Sequence, residues 1–341
     1  MTTPATDSGT SPITTVAVTG ATGFIGRAVV AALLERGYTV RALIRDREKA
    51  RRVLPGTGQG KLHMVAGDAG DSARVAELLK GCQACINLVG IIKETRNVAT
   101  GKAVTFRKSH VEATRTLVAG CLEGGVRRYI QMSALGVTPN GVSEYQKTKF
   151  EAENIVRLST LEWTIVRPGL VHGPDGEFVH LIKDMLTGQI PPYFFAPYFQ
   201  RSVEDKRVPM GSVTQIDPKV QPVAVEDVAA AFVASLAKPE TIGEVYNLVG
   251  SEVLEWPTMI RFMRDAMHAG KLEPWGIPAE VAAIGATVAG KLGFGSALPF
   301  DAGMARMAAQ DATASLDKVR AELGIEPKPF RATFTKYASA V

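Results

Sequence analysis

Ser133, Tyr145 and Lys149 are the residues whose types and spacing could move a proton. Ser143-x-x-Gln146 is a capping-box pattern that opens a helix. It puts Tyr145 in the first turn and Lys149 four residues on, on the same face. Ser133 ends the strand-like run Tyr129–Met132. A phenol ionises near pH 10, and lowering that by about three units takes about 4 kcal/mol. An ammonium at about 5 Å, in an effective dielectric of about 20, supplies roughly 3 kcal/mol. Such a phenol could pass a proton to or from a carbonyl oxygen that the serine hydroxyl polarises. A tyrosine and a lysine on one helix face are also an ordinary pairing, so the chemistry depends on what stands beside them.

What stands beside them is announced near the start of the chain. Val16–Thr19 is a strand that runs into Gly20-Ala21-Thr22-Gly23-Phe24-Ile25-Gly26 and then into a helix. Gly20 allows the tight turn, Gly23 lets backbone approach a pyrophosphate, and Gly26 permits close packing of helix on strand. The helix N-terminus offers free N–H groups and a positive dipole end to phosphates. The expected cofactor is therefore a nicotinamide dinucleotide, whose oxidised ring would add to the positive field at Tyr145. The second strand, Val40–Ile44, ends in Arg45, with Arg47 close by. An arginine there accommodates a 2′-phosphate and favours NADP(H), whereas an acid would favour NAD(H). Asp46 keeps the second reading alive.

The elements that must position these groups alternate along the first half. Strands are expected at Ile13–Thr19, Tyr38–Ile44, Leu62–Ala66, Ala84–Val89, Arg128–Met132 and Trp163–Val166. Helices are expected at Phe24–Glu35, Ser72–Leu79, Phe106–Glu123 and Glu144–Leu158. This alternation predicts an α/β, Rossmann-type, doubly wound parallel sheet over residues 13–170, after a polar tail at 1–12. Residues 171–341 read as a smaller, mostly helical region, with helices at Val225–Leu236, Met259–Met267, Ala279–Leu292 and Ala314–Leu323. Two short runs, Val223–Val225 and Val245–Leu248, read as returns to the sheet, at about 223–249.

Composition excludes several other classes. The chain has 341 residues, 46% hydrophobic and 21% charged, enough for a sizeable core and too ordinary for disorder or a coiled coil. The formal charge of +5 is spread among acids, with no basic element carrying interleaved aromatics, so no nucleic-acid partner is expected. No apolar run is long enough to span a bilayer. Three cysteines, Cys82, Cys85 and Cys121, fit a reducing, cytoplasmic setting. The C-x-x-C pair enters an apolar strand and reads as core. The five histidines show no ligand spacing, so no metal site is expected.

Taken together, the TGATGFIG loop, Asp68 after the third strand, Asn87-Leu88-Val89-Gly90 after the fourth, Ser133, Tyr145-x-x-x-Lys149 and Arg167-Pro168 resemble the short-chain dehydrogenase/reductase superfamily, extended or atypical type. NLVGI at 87–91, HVEATRTLV at 110–118, MSALG at 132–136 and WTIVRPG at 163–169 resemble one branch of it. That branch contains the nucleotide-binding accessory subunit of respiratory complex I and its bacterial relatives. The resemblance implies that Gly20, Thr22, Gly23, Phe24, Ile25 and Gly26 hold the pyrophosphate and Arg45 the 2′-phosphate. It implies Asp68 at the adenine, Leu88, Val89 and Gly90 along the ribose side, and Tyr145 and Lys149 on the nicotinamide ribose. Pro168 to Val171 would close over the nicotinamide. One departure stands out: His110-Val111 replaces the Asn–Val pair of many relatives, and its plain reading is a packed or surface histidine.

Two functions remain open on these residues. One is an NADP(H)-dependent oxidoreductase, with Ser133, Tyr145 and Lys149 catalytic and an apolar substrate suggested by PPYFFAPYF at 191–199. The other is a non-catalytic, nucleotide-stabilised subunit or assembly factor, docked on a larger complex or on the inner face of a membrane. A sugar-nucleotide epimerase is a further alternative, with Arg201, Lys206 and Arg207 available for phosphate.

Overall fold

Near-continuous burial along the central strands Thr15–Thr19, Ala84–Asn87 and Arg128–Met132 dictates a sheet covered on both faces. The computed structural model describes residues 12–56, 60–96, 103–204, 211–292 and 298–341. The amino-terminal tail, apart from its last residue, and Lys206 and Arg207 lie outside the described residues. The central sheet contains β1 (Thr15–Thr19), β2 (Thr39–Ile44), β3 (Leu62–Ala66), β4 (Ala84–Asn87), β5 (Arg128–Met132) and β6 (Glu162–Pro168). Three further strands follow β6: β7 (Val171–His172), β8 (Ala196–Glu204) and β9 (Val213–Ile216). Then come β10 (Val223–Ala224), β11 (Glu244–Leu248) and β12 (Pro274–Pro278). The sheet order is β11-β6-β5-β4-β1-β2-β3, seven strands, all parallel.

Helices cover the two faces because successive residues of each strand point opposite ways. Val16 and Val18 face a cluster with Val29, Leu33 and Phe232. Ala17, Cys85, Tyr129 and Ile165 face another with Leu78, Leu117 and Val156. Helix α1 (Phe24–Glu35) buries Gly26, Val29, Val30 and Leu33, the spacing of one helical face. Asp46 caps α2 (Arg47–Val53) and Asp71 caps α3 (Ser72–Leu79), each accepting backbone N–H bonds of the first turn. A π-helical turn, Arg107–Glu112, leads into α4 (Ala113–Glu123), and Ser143 caps α5 (Glu144–Arg157). All three cysteines are buried, and burial pushes the Cys82 thiol up to about 11.

The second half differs from the sequence expectation in three places. The aromatic segment contributes to a strand: β8 pairs in parallel with β12 and antiparallel with β9, a three-stranded sheet hidden by its prolines. Val223–Ala224 pairs with Val171–His172 in a separate ladder, and only Glu244–Leu248 joins the central sheet. Ala314–Leu316 is not helical, because the Ala314 amide donates to Gln221 Oε1 and Ser315 Oγ accepts from Asp317 N. The helices here include α6 (Glu177–Leu186), α7 (Val225–Ala237), α8 (Trp256–Met267), α9 (Ala279–Lys291) and α10 (Ala302–Ala308), with a short last one at Phe330–Phe334. A third cluster joins α6, α8 and the chain end through Ile182, Met259, Met263, Phe330 and Phe334.

Candidate functional site

Parallel strands end on one edge, so the loops that follow β1, β2, β3, β4, β5 and β6 meet along the carboxyl side of the sheet. Gly20, Leu88, Val89, Gly90, Ser133 and Pro168 sit there, and Tyr145 and Lys149 stand on the N-terminal half of α5. Gly20 follows β1 with φ +70°, and a Cβ on it would lie 2.8 Å from the Leu88 carbonyl group. A Cβ on Gly26 would lie 2.1 Å from the Gly20 oxygen, so the turn closes only without side chains. Gly23 begins α1 with no side-chain cap, and no acidic residue occupies the first turn. Its leading N–H groups are thus available to an anion. These are the features a pyrophosphate needs, and the residues fit a dinucleotide.

The other expected contacts are spread along the same edge. Leu88 is buried, Val89 half-buried, and the Val89 amide donates to Asn87 Oδ1 at 3.1 Å. Asn87 also accepts from Thr19 Oγ1 at 2.8 Å and donates to Gln131 Oε1 at 3.0 Å, a buried polar bar across β1, β4 and β5. Arg45 and Asp68 stand exposed just after β2 and β3. Asp68 Oδ1 accepts from the Gly70 amide, and Asp46 Oδ1 accepts from the Lys49 amide. The Phe24 ring lies against Gly173 and Gly176, so Phe24 adjoins the segment that follows Pro168 and Val171; Thr22 and Ile25 flank it at the start of α1, half-buried.

Lys149 reaches the end of β5 that carries Ser133, and Tyr145 stands one turn before Lys149 on α5. The Ser133 amide donates to the Val166 oxygen at 2.7 Å, while its Oγ is buried without a hydrogen-bond partner. Lys149 is buried; its Nζ donates to the Met132 oxygen at 3.2 Å and stands 2.9 Å from where a Gly90 Cβ would be. Burial brings its ammonium down to about 8, against the pull of Glu153. The lowering of the Tyr145 phenol expected from Lys149 is not found: burial pushes it up to about 12. The physical reason is desolvation, which disfavours the charged phenolate.

His110 is packed, as its plain reading held. It is buried, Nδ1 lies 2.9 Å from Thr148 Oγ1, and its ring meets that of Tyr145 edge-on at 5.4 Å. Burial first, and the Lys149 charge second, bring its imidazole down to about 2, so it stays neutral. Phe106 completes a cluster of three rings, 5.9 Å from Tyr145 and 5.6 Å from His110. Beside Tyr145 opens a cavity of about 320 Å³, with Ile92, Phe106, Met304 and Met307 among its apolar walls and Glu94 and Asp301 at its polar ones. Helix α10 supplies part of that wall, which no pattern in the sequence announced.

Two more residues escaped sequence reasoning. Arg27, directly after the third glycine, pairs with Asp175 at 3.2 Å and keeps a buried Nε without a partner. Glu153, fully buried on α5, receives a two-pronged bond from Arg167 at 2.7 and 2.6 Å. That pair locks α5 to β6 and so fixes Lys149 against Met132.

A family profile described as NAD(P)H-binding matches residues 20–189. A mitochondrial NADH dehydrogenase 1 alpha subcomplex subunit 9 from Arabidopsis thaliana is 31% identical over 253 residues, 74% of this chain and 57% of that protein. A ceramide reductase from Caulobacter vibrioides is 31% identical over 262 residues, 76% of this chain and 71% of that protein. Among solved structures, that of gox2253 aligns with a TM-score of 0.68 at 25% identity, covering 94% of this chain and 96% of the other. The chain spans 57%, 62% and 56% of three subunit relatives, less than two thirds of their length. The glycine turn, the strand order and these likenesses agree: the chain belongs to the NAD(P)-binding short-chain dehydrogenase/reductase superfamily, in the branch that resembles the nucleotide-binding accessory subunit of respiratory complex I.

Proposed function

We propose that the protein is an NADP(H)-dependent oxidoreductase that reduces a carbonyl on an apolar small molecule. The observation that carries this reading is the Ser133 hydroxyl, buried and unpartnered beside the lysine-bound strand end. Leaving such a group unmet costs roughly 1–3 kcal/mol, which a substrate oxygen would relieve. When bound, the dinucleotide would supply the hydride. Ser133 would polarise the substrate oxygen, and Tyr145 would donate its proton to it as the carbon accepts the hydride. A phenol pushed up to about 12 holds its proton at neutral pH, which suits the reducing direction. Lys149 would hold the nicotinamide ribose. Gly20 to Gly26 would take the pyrophosphate, Leu88 to Gly90 the ribose side, Asp68 the adenine, and Pro168 to Val171 the nicotinamide face.

Arg45 and Arg47 favour the 2′-phosphate, since neither makes an ion pair among the described residues. Asp46 spends its carboxylate on the α2 cap, which argues against its holding a ribose hydroxyl. The Caulobacter relative is named a ceramide reductase, and a lipid-like carbonyl compound suits the apolar walls of the Tyr145 cavity. Steady-state oxidation of NADPH with a panel of long-chain ketones tests this: turnover by the wild type and its loss in Tyr145→Phe are expected.

A second reading is a nucleotide-stabilised subunit of a larger assembly. It is favoured by the subunit names of the mitochondrial relatives and by a phenol that no neighbouring cation lowers. Tight dinucleotide binding without reduction of any ketone would support it.

A further inference from the structure

Helix α9 is built inside out. Its buried residues are Ala279, Ala282, Ala283 and Ala286, whereas Val281, Ile284, Val288 and Leu292 just past its end are exposed. These four are 50–67% exposed, spaced along one face of a helix that an ordinary surface would clothe in charge. No charged residue occurs between Glu280 and Lys291. Exposed aromatics also stand just before β8 and at the start of β12, the two strands on which α9 packs. There Tyr193, Phe194 and Trp275 are exposed by 60%, 72% and 65%, and Phe195 bridges Phe194 and Trp275. Tyr193 holds a left-handed backbone, φ 69°, with its ring outward.

We infer that this face lies on an anionic lipid surface, with α9 in the plane of the interface. Charge identifies the occupant. The acids bordering the face are neutralised, Glu280 by Arg306 and Glu273 by Arg261 and Arg264. Lys271 and Lys291 flank it, exposed and without an ion pair among the described residues. Apolar side chains between lysines, with tyrosine and tryptophan at one end, suit the headgroup boundary. Thirteen residues make a helix of about 20 Å, too short to cross a hydrocarbon core of about 30 Å. Among the described residues no helix is long and apolar enough to span.

Helix α9 packs on α10, which walls the Tyr145 cavity, so docking would hold that cavity close to the bilayer. Entry of a substrate from the lipid rests on the function proposed above; the docking itself does not.

The test is co-sedimentation of the full chain with vesicles of phosphatidylcholine alone and of phosphatidylcholine mixed with phosphatidylglycerol, at low salt. Binding to the anionic vesicles is expected, at least tenfold weaker in Ile284→Asp/Val288→Asp and several-fold weaker in Lys271→Glu/Lys291→Glu. NADPH affinity measured on the same variants stays unchanged, which separates docking from misfolding and from the proposed oxidoreductase. Absence of vesicle binding overturns the inference. So does equal binding by Ile284→Asp/Val288→Asp, or a homodimer that this variant dissociates while vesicle binding stays absent.

Discussion

Lys149 Nζ donates to the carbonyl oxygen of Met132 at 3.2 Å, so the helix carrying Tyr145 is fastened to the strand end that presents Ser133. The Glu153–Arg167 pair, one turn further along α5, makes the same connection to β6. Two independent ties thus set the spacing of the three groups before any ligand arrives. Preorganisation of this kind is what a proton transfer coupled to hydride arrival requires.

Ser133→Ala separates a substrate contact from a structural one. The hydroxyl bonds nothing in the protein, so its removal should leave the melting temperature unchanged or slightly raised. Turnover should fall by about 10²–10³, the cost of losing one donor to a reacting oxygen. Thermal melts and steady-state rates on the same preparation decide it. A large drop in melting temperature with turnover intact would assign Ser133 to the scaffold.

Arg45→Ala should erode the preference for NADPH over NADH. A charge-assisted bond to the 2′-phosphate is worth roughly 1.5–3 kcal/mol, or about 10- to 150-fold in the ratio of dissociation constants. Calorimetric titration with both dinucleotides measures that ratio, and NADH affinity should change little. An unaltered ratio would remove Arg45 from the site.

Gly26→Ala should abolish dinucleotide binding. The new Cβ would stand 2.1 Å from the Gly20 oxygen and 2.8 Å from Ala21, all backbone, so the turn must open. Overpacking of this kind costs about 1–3 kcal/mol. A melting temperature lowered by several degrees, with no stabilisation on adding NADPH, is expected. Stabilisation equal to that of the wild type would contradict the assignment.

Acid should destabilise the fold earlier than carboxylates alone would. Burial brings His172 down to about 4 and His110 to about 2 in the folded chain, against an ordinary value of 6.5. The unfolded chain therefore binds more protons below pH 6.5, and stability present above that value is lost as pH falls. Each histidine contributes up to about 1.4 kcal/mol per pH unit in that window. Urea melts between pH 6.5 and 5 should show this slope, and His110→Asn should reduce it. A flat profile in both proteins would contradict the neutral, buried assignment.

The central sheet was legible because each layer of it has a local signature. Phe24–Glu35, Leu62–Ala66, Ser72–Leu79 and Arg128–Met132 fall where hydrophobic period and caps place them. The candidate site was legible for the same reason: parallel strands deliver Gly20, Leu88, Ser133 and Pro168 to one edge without long-range information. What stayed hidden depends on distant contacts. The strand Ala196–Glu204 carries prolines and aromatics, and only pairing with Pro274–Pro278 makes it a strand. Helix α10 reaches the Tyr145 cavity from over 150 residues away in sequence, with no periodic signal to say so. Burial pushes the Tyr145 phenol up to about 12, an effect of packing that the Tyr145–Lys149 spacing does not report.

The most direct measurement is the fate of a labelled hydride. NADPH deuterated at C4 would be loaded on the purified protein and exposed to fractionated lipids and quinones, with the deuterium followed by mass spectrometry and Tyr145→Phe run alongside. The account predicts label in an apolar alcohol for the wild type and none for the variant. Label retained on tightly bound NADPH against every fraction would contradict it and leave the dinucleotide a structural ligand.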